Sequence, residues 1–281
     1  MVMEPRFEEE YSDRRVEAAK RALIDVMQVL ASFSDCLVLV GGWVPDLLIP
    51  DAEEPHIGSI DVDLALNTEK LMDGRYAEML DQLLNTKRYC QGAKDFQLQT
   101  EVDLKDGNDP IKVDIDFMGA TDADTEKNKP KLVEGFRLLK ADGCAVAFHA
   151  PTSQRISGQM ASGAENTVSI QIASIPDFLI MKAFALNGRD KPKDAYDICY
   201  CLDHYSGGIP ELAQAWKQRL VDGLKATRLA TEYLREKFQS VSAYGTQQVV
   251  EFHNSNNPDE REQQARRAYE LVKTFLEQVE K

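Results

Sequence analysis

The chain has 281 residues and a formal net charge of −14, from 47 acidic and 33 basic side chains. A hydrophobic share of 43% can bury a sizeable core in one large domain or two smaller ones, while the charge excludes a surface that holds nucleic acid everywhere by counterion release, which needs a broad basic face. No run approaches the ~18 apolar residues of a membrane helix, the acidic amino-terminal sequence lacks the basic-then-apolar order of a signal peptide, and five cysteines without framework spacing imply reduced thiols, so the expectation is a cytoplasmic protein without disulfides.

Taken in chain order, Val16, Ala19, Leu23, Val26, Met27 and Leu30 recur at helical spacing and predict an amphipathic helix over about 9–32. Cys36-Leu37-Val38-Leu39-Val40 is continuously apolar, a buried strand, and ends at Gly41-Gly42, where the chain turns into a short helix at 43–48 that tolerates Pro45 early. Pro50, Pro55 and several acids make 49–58 a loop before the strand that carries Asp61 and Asp63. A helix over about 68–84 and strands near 87–91, 96–102 and 110–118 follow, then a charged stretch at 121–131 expected to be a mobile loop. Short strands come next, of which 167–172 alternates most cleanly. From Ser174-Ile175-Pro176-Asp177 onward the pattern is helical, with helices predicted near 175–187, 192–205, 210–222, 224–238 and 259–280. The fold expected is α+β: a mixed sheet with flanking helices over 1–173, then a helical domain over 174–281 that closes the cleft.

Two of these strands carry paired acids. Residues i and i+2 of a strand point to one side, so Asp61 and Asp63 project together while Ile60, Val62 and Leu64 face a core, and Asp114 and Asp116 repeat the arrangement. On neighbouring strands, up to four carboxylates would converge, which demands neutralisation by protons or cations, and hard oxygen donors at that density suit Mg²⁺ or Mn²⁺. An isolated Asp-x-Asp is ordinary on a polar sheet face. Beside a Gly-Gly turn, whose backbone a phosphate can approach closely, the combination suggests two-metal phosphoryl or nucleotidyl transfer. Other polar groups have plainer explanations. Cys199 and Cys201 are core thiols, Trp43 is a packing residue, and the scattered His56, His149, His204 and His253 give no zinc spacing.

The runs Val40-Gly41-Gly42-Trp43, His56-Ile57-Gly58-Ser59-Ile60-Asp61-Val62-Asp63-Leu64 and Val113-Asp114-Ile115, with Lys182 to Arg189 followed by Lys193-Asp194-Ala195-Tyr196-Asp197, resemble the nucleotidyltransferases of the DNA polymerase β superfamily. Within it they look most like the bacterial AbiEii/AbiGii-type toxin nucleotidyltransferases, over about residues 36–205. The resemblance implies a polymerase β-like sheet in which Asp61 and Asp63 hold the metals. Asp114 or Asp116 would complete the site and activate the attacking hydroxyl; the flanking residues of Asp114 look closer to the family strand, making Asp61, Asp63 and Asp114 the implied metal ligands. Gly41, Gly42 and Ser59 would seat the nucleoside triphosphate, Lys182 would point at its phosphates, Asp194 and Asp197 would orient that lysine or the nucleotide, and Lys193 would join the nucleotide-binding set. The chain departs from the pattern in a longer interval between Gly42 and Asp61, which bears on how the phosphate pocket closes, and in Lys193, where relatives often carry arginine.

The implied reaction moves a nucleoside monophosphate from a nucleoside triphosphate to a hydroxyl of RNA, tRNA or protein, as the toxin of a toxin–antitoxin or abortive-infection pair with an antitoxin partner. Two alternatives stand beside it: a small-molecule nucleotidyltransferase of the aminoglycoside-modifying kind, whose cationic acceptor suits an acidic protein, and a non-catalytic nucleotide-binding module.

Overall fold

The computed structural model describes residues 5–71, 74–120 and 137–281; the loop expected at 121–131 lies outside them. The chain is α+β, with an eight-stranded mixed sheet, flanking helices and a carboxy-terminal helical region. It divides into two compact units that interleave in sequence: Ser12–Val44 joins Gly58–Ser174, and the segment ending at Tyr11 joins Pro45–Ile57 and Ile175–Lys281.

Among the described residues the sheet unit holds every strand: β1 (Leu37–Val40), β2 (Val62–Leu66), β3 (Tyr89–Gln91), β4 (Gln97–Val102), β5 (Ile111–Ala120), β6 (Leu139–Ala141), β7 (Thr152–Gln159) and β8 (Glu165–Ile172). Their spatial order is β3-β4-β5-β2-β1-β8-β7, with β6 paired to the far end of β5. The centre of the sheet is built from apolar strands: β1 is buried at all four positions, and Val62, Leu64, Val113, Ile115 and Phe117 are buried on β2 and β5. Helix α1 (Asp13–Val29) packs on β4, β5, β7 and β8 through the stripe Ala18, Ala19, Ala22, Leu23, Val26 and Met27, whose small residues allow close approach. It is shorter than the periodicity predicts, because residues 8–10 form a separate 3₁₀ turn and Ser12 is extended. Helix α2 (Trp43–Leu48) follows the Gly-Gly turn, and α3 (Arg75–Asn85) buries Tyr76, Met79, Leu80 and Leu83.

The helical unit comprises α4 (Ile175–Gly188), α5 (Lys193–His204), α6 (Gly208–Val221), α7 (Lys225–Lys237), α8 (Tyr244–His253) and α9 (Pro258–Glu280). Trp216, Phe252 and Phe275 are fully buried in it; the Trp216 indole meets Phe275 edge-on and donates to Thr231 Oγ1 at 3.0 Å. A buried ion pair ties α6 to α4, with Arg219 Nη2 donating to Asp177 Oδ2 at 2.9 Å. Asn257 accepts the Asp259 N–H and Pro258 occupies the first turn, so α9 starts where chain chemistry dictates. Of the short strands expected before 173 without bounds, β6 and the edge strand β7 join β8, while α8 has no counterpart among the predicted elements. Among the described residues no helix is long and apolar enough to cross a membrane.

Candidate functional site

The acidic pairs meet through the register of two strands. β2 and β5 run parallel with Asp63 opposite Asp116 and Val62 opposite Ile115. Partners in register share a face, so Asp63 and Asp116 project together, with Asp61 two residues before Asp63 and Asp114 two before Asp116. All four are half-buried on the face opposite the core residues of these strands. The expected neighbourhood of the two strands is therefore present, and it puts Asp116, rather than Asp114, directly across from Asp63.

Three of the four carboxylates accept a hydrogen bond from a neutral side chain. Ser59 Oγ donates to Asp61 Oδ1 at 2.6 Å, and the buried Trp43 indole N–H donates to the Asp61 carbonyl at 2.8 Å, fixing the entry to β2. Gln97 Nε2 donates to Asp116 Oδ1 at 2.8 Å and Gln99 Nε2 to Asp114 Oδ1 at 2.7 Å, a cross-strand pairing that follows from the β4–β5 register. These glutamines were not among the residues singled out from sequence, although their i, i+2 spacing on a strand mirrors that of the acids. The Asp116 carboxyl is pushed up to about 6, by burial before all else, then by the negative charge of Asp61, with the Gln97 hydrogen bond pulling the other way.

The Gly-Gly turn is shaped by the same acids. Gly41 has φ +71°, and a Cβ at that position would fall 2.8 Å from Asp63 Cγ, so both the backbone conformation and the Asp63 side chain demand glycine there. Val40, its neighbour, pairs with Asp63 across β1 and β2. The turn and the acidic strand are thus one packed unit.

Among the described residues no three carboxylate, imidazole or thiol groups already surround a common point. The donor set nevertheless fits a hard divalent cation, because the four carboxylates of the two acidic pairs offer only oxygen atoms. Asp61, Asp63, Asp114 and Asp116 are the residues that could hold it.

A second cluster lies within the helical unit. Lys182 Nζ of α4 donates to Asp194 Oδ1 at 2.7 Å and lies 2.7 Å from Asp197 Oδ2, an ion pair without hydrogen-bond alignment. Arg189 Nε and Nη2 clasp Asp194 at 2.7 and 2.9 Å, and Lys193 Nζ donates to Asp197 Oδ1 at 2.7 Å. The two aspartates are fully buried. Burial works against the Lys182 charge, but Asp194 and Asp197 outweigh it and hold the ammonium above its ordinary range. Burial likewise opposes the charges of both aspartates; Lys182 and Arg189 for Asp194, and Lys182 and Lys193 for Asp197, hold them low. The Lys193 ammonium is pulled down, by burial first. Asp194 and Asp197 thus contact Lys182 directly, and Lys182 and Lys193 do not form a solvated basic face, since both are buried.

His56 also belongs to this cluster: its Nε2 lies 2.9 Å from Asp197 Oδ1 in a fully buried pair. Burial, then the nearby Lys193, lowers its pKa to about 4, so the ring is neutral at physiological pH and Nε2 donates. All five cysteines are free thiols, and four of them, Cys199 and Cys201 included, are buried.

The profile of the family described as nucleotidyl transferase AbiEii toxin, Type IV TA system, matches residues 29–280. Among solved structures the chain is similar to one titled "Crystal structure of JHP933 from Helicobacter pylori", at 15% identity over 96% of this chain and 94% of that one, with a TM-score of 0.46. No curated protein matches.

Proposed function

The chain belongs to the AbiEii family of nucleotidyltransferase toxins of type IV toxin–antitoxin systems, and on that footing we propose that it moves a nucleoside monophosphate from a nucleoside triphosphate to a hydroxyl of RNA or protein, releasing pyrophosphate, with Mg²⁺ or Mn²⁺ bound by Asp61, Asp63 and Asp116. The observation that carries this reading is the β2–β5 register, which faces Asp116 with Asp63 and brings the two acidic pairs onto one face of the sheet. The cation, when bound, supplies charge neutralisation to the triphosphate and acidity to the acceptor hydroxyl.

The chain's own residues do the rest. Ser59 and the Trp43 indole hold Asp61 by side chain and by backbone, so one ligand is preorganised before any nucleotide arrives. Gln97 occupies Oδ1 of Asp116. Asp116 takes the acceptor's hydroxyl proton in this scheme, the role that the family pattern left open between Asp114 and Asp116. The backbone of Gly41 and Gly42 and the Ser59 hydroxyl are assigned to seating the nucleotide. Lys182, with Asp194, Asp197 and Lys193 as its buried supports, is assigned to the phosphates as a point charge. Membership of a toxin–antitoxin family further implies an antitoxin partner protein.

The test is incorporation of each α-labelled nucleotide, with Mg²⁺ or Mn²⁺, into total RNA and protein by the wild type and by Asp61→Ala and Asp63→Ala. Label that enters only with the wild type supports the proposal and identifies donor and acceptor. Turnover retained in either variant would sink it, and label entering only a polycationic small molecule would replace the acceptor class.

A further inference from the structure

The carboxylate of Asp197 has no freedom left to it. Its Oδ1 receives Lys193 Nζ at 2.7 Å and His56 Nε2 at 2.9 Å, while Oδ2 faces Lys182 Nζ at 2.7 Å. Two of these partners are the lysines of the helical motif; the third comes from a segment more than a hundred residues earlier in the chain, at the head of the run that carries Asp61 and Asp63. That segment is built to deliver the imidazole. The His56 ring stacks on Tyr196, with centroids 5.5 Å apart, and meets Tyr200 edge-on at 4.8 Å. Tyr200 Oη then donates to the Glu54 carbonyl at 2.9 Å. Tyr196 and Tyr200 are one turn apart on α5, and Asp197 lies beside the first, so a single helix face grips residues 54–56 and presents His56 to the acid. The stretch 45–57 contains the excess length between Gly42 and Asp61, and it is counted with the helical unit rather than with the sheet.

We propose that His56 is the positioning residue of the Lys182–Asp194–Asp197 network, fixing the Asp197 carboxylate and, through it, the ammonium groups of Lys193 and Lys182. The physical need is plain. A buried carboxylate with two flexible lysines has several ways to share them, and each lysine stem carries several rotatable bonds. A third donor, rigid and held by two aromatic rings, leaves one arrangement. A neutral imidazole does this without adding charge beside Lys193, and because burial, then Lys193, lower its pKa to about 4, the bond persists across the working pH range. Lys193 is constrained on another side as well, its Nζ lying 5.4 Å from the Tyr11 ring centroid.

This inference rests on the assignment of Lys182 and its partners to nucleotide phosphates, so the experiment has one readout that does not need that assignment. Competitive acylation of the intact protein, followed by mass spectrometry, measures the accessibility and nucleophilicity of Lys182 and Lys193 directly. Steady-state transfer from the labelled nucleoside triphosphate measures the consequence. In His56→Leu, labelling of Lys193 and Lys182 should rise about tenfold or more, as expected when a charged buried group loses a hydrogen bond, and KM for the triphosphate should rise more than kcat falls. His56→Gln, whose amide N–H reaches the position of Nε2, should restore both; His56→Asn, too short to reach, should not. If His56→Leu does not fold, the Gln and Asn variants alone carry the comparison. Unchanged lysine labelling in His56→Leu or His56→Asn would overturn the proposal, as would raised labelling with an unaltered KM in an enzyme that depends on Asp61. If Asp61→Ala is as active as the wild type, the transfer reading fails, and the lysine labelling still decides the role of His56.

Discussion

Asp116→Asn separates charge from packing in the acidic cluster. In the folded chain the Asp116 carboxyl keeps its proton up to about pH 6, against an ordinary value of 3.8, so folding takes up a proton between these limits and stability falls as pH rises through them. At 1.36 kcal/mol per tenfold change, the displacement from 3.8 to about 6 corresponds to at most about 3 kcal/mol withheld from the wild type above pH 6. The amide cannot ionise, and it can keep the contact with Gln97 by offering its oxygen to Nε2. Without divalent cation at pH 8 the variant should therefore melt on the order of 5–10 °C above the wild type, and the advantage should vanish near pH 4. Millimolar Mg²⁺ should raise the wild-type midpoint and leave the variant almost unmoved, while transfer activity is lost. Thermal melts at pH 4 and pH 8, in chelator and in Mg²⁺, make the check. A variant no more stable than the wild type at pH 8 in chelator would refute the idea that burial opposes the Asp116 charge.

Asp114→Asn should retain transfer activity within a few-fold where Asp116→Asn loses it, because Asp114 lies one pleat away from the residue facing Asp63; a parallel rate assay on the two variants decides between them. Gly41→Ala should destabilise by about 1–3 kcal/mol, since it combines a φ of +71° with displacement of the Asp63 side chain; denaturant titration reads the first effect and loss of transfer the second. Asp177→Ala leaves the Arg219 charge buried and without its carboxylate, and should lower stability by about 3–5 kcal/mol with no direct effect on the acidic cluster, as calorimetry would show. Lys182→Met should weaken nucleotide binding and lower the melting temperature together, because Asp194 and Asp197 lose the cation that outweighs their burial; a variant that binds the triphosphate normally would remove Lys182 from the phosphate-binding assignment.

Much of the sheet could be read in advance because its central strands are apolar enough to state their own direction. Leu37-Val38-Leu39-Val40 leaves no alternative to burial, and the alternation of Val113, Ile115 and Phe117 with Asp114 and Asp116 declares both faces of β5. β7 lacks such a signal: Thr152-Ser153-Gln154-Arg155 is polar at every position, and only Ile156 is buried, because an edge strand needs neighbours on one side alone. α8 was obscured for another reason. Its inward face carries Gly245, Thr246 and Gln248 beside Val249 and Phe252, so burial follows helical spacing while hydrophobicity does not. The buried Thr246 hydroxyl donates to main-chain carbonyls of the preceding turn, the nearest 2.6 Å away, which explains how a polar side chain serves there.

The site shows the same division more sharply. Asp61, Asp63, Asp114 and Asp116 were all evident from local spacing, since period two is a property of a single strand. The resemblance favours Asp114 over Asp116 by its flanking residues alone, since both occupy the same face of the same strand. Which residue of β5 stands across from Asp63 is a different kind of information, because parallel register is set by packing and crossover length, neither of which is written within a few residues of either aspartate. His56 is the extreme case. Nothing around it marks a buried donor, yet Tyr196 and Tyr200, spaced four apart beside Asp197, pack against its ring while Nε2 reaches the acid. Residues whose role is to hold other residues are recognisable by their partners, and those partners are assembled by the fold.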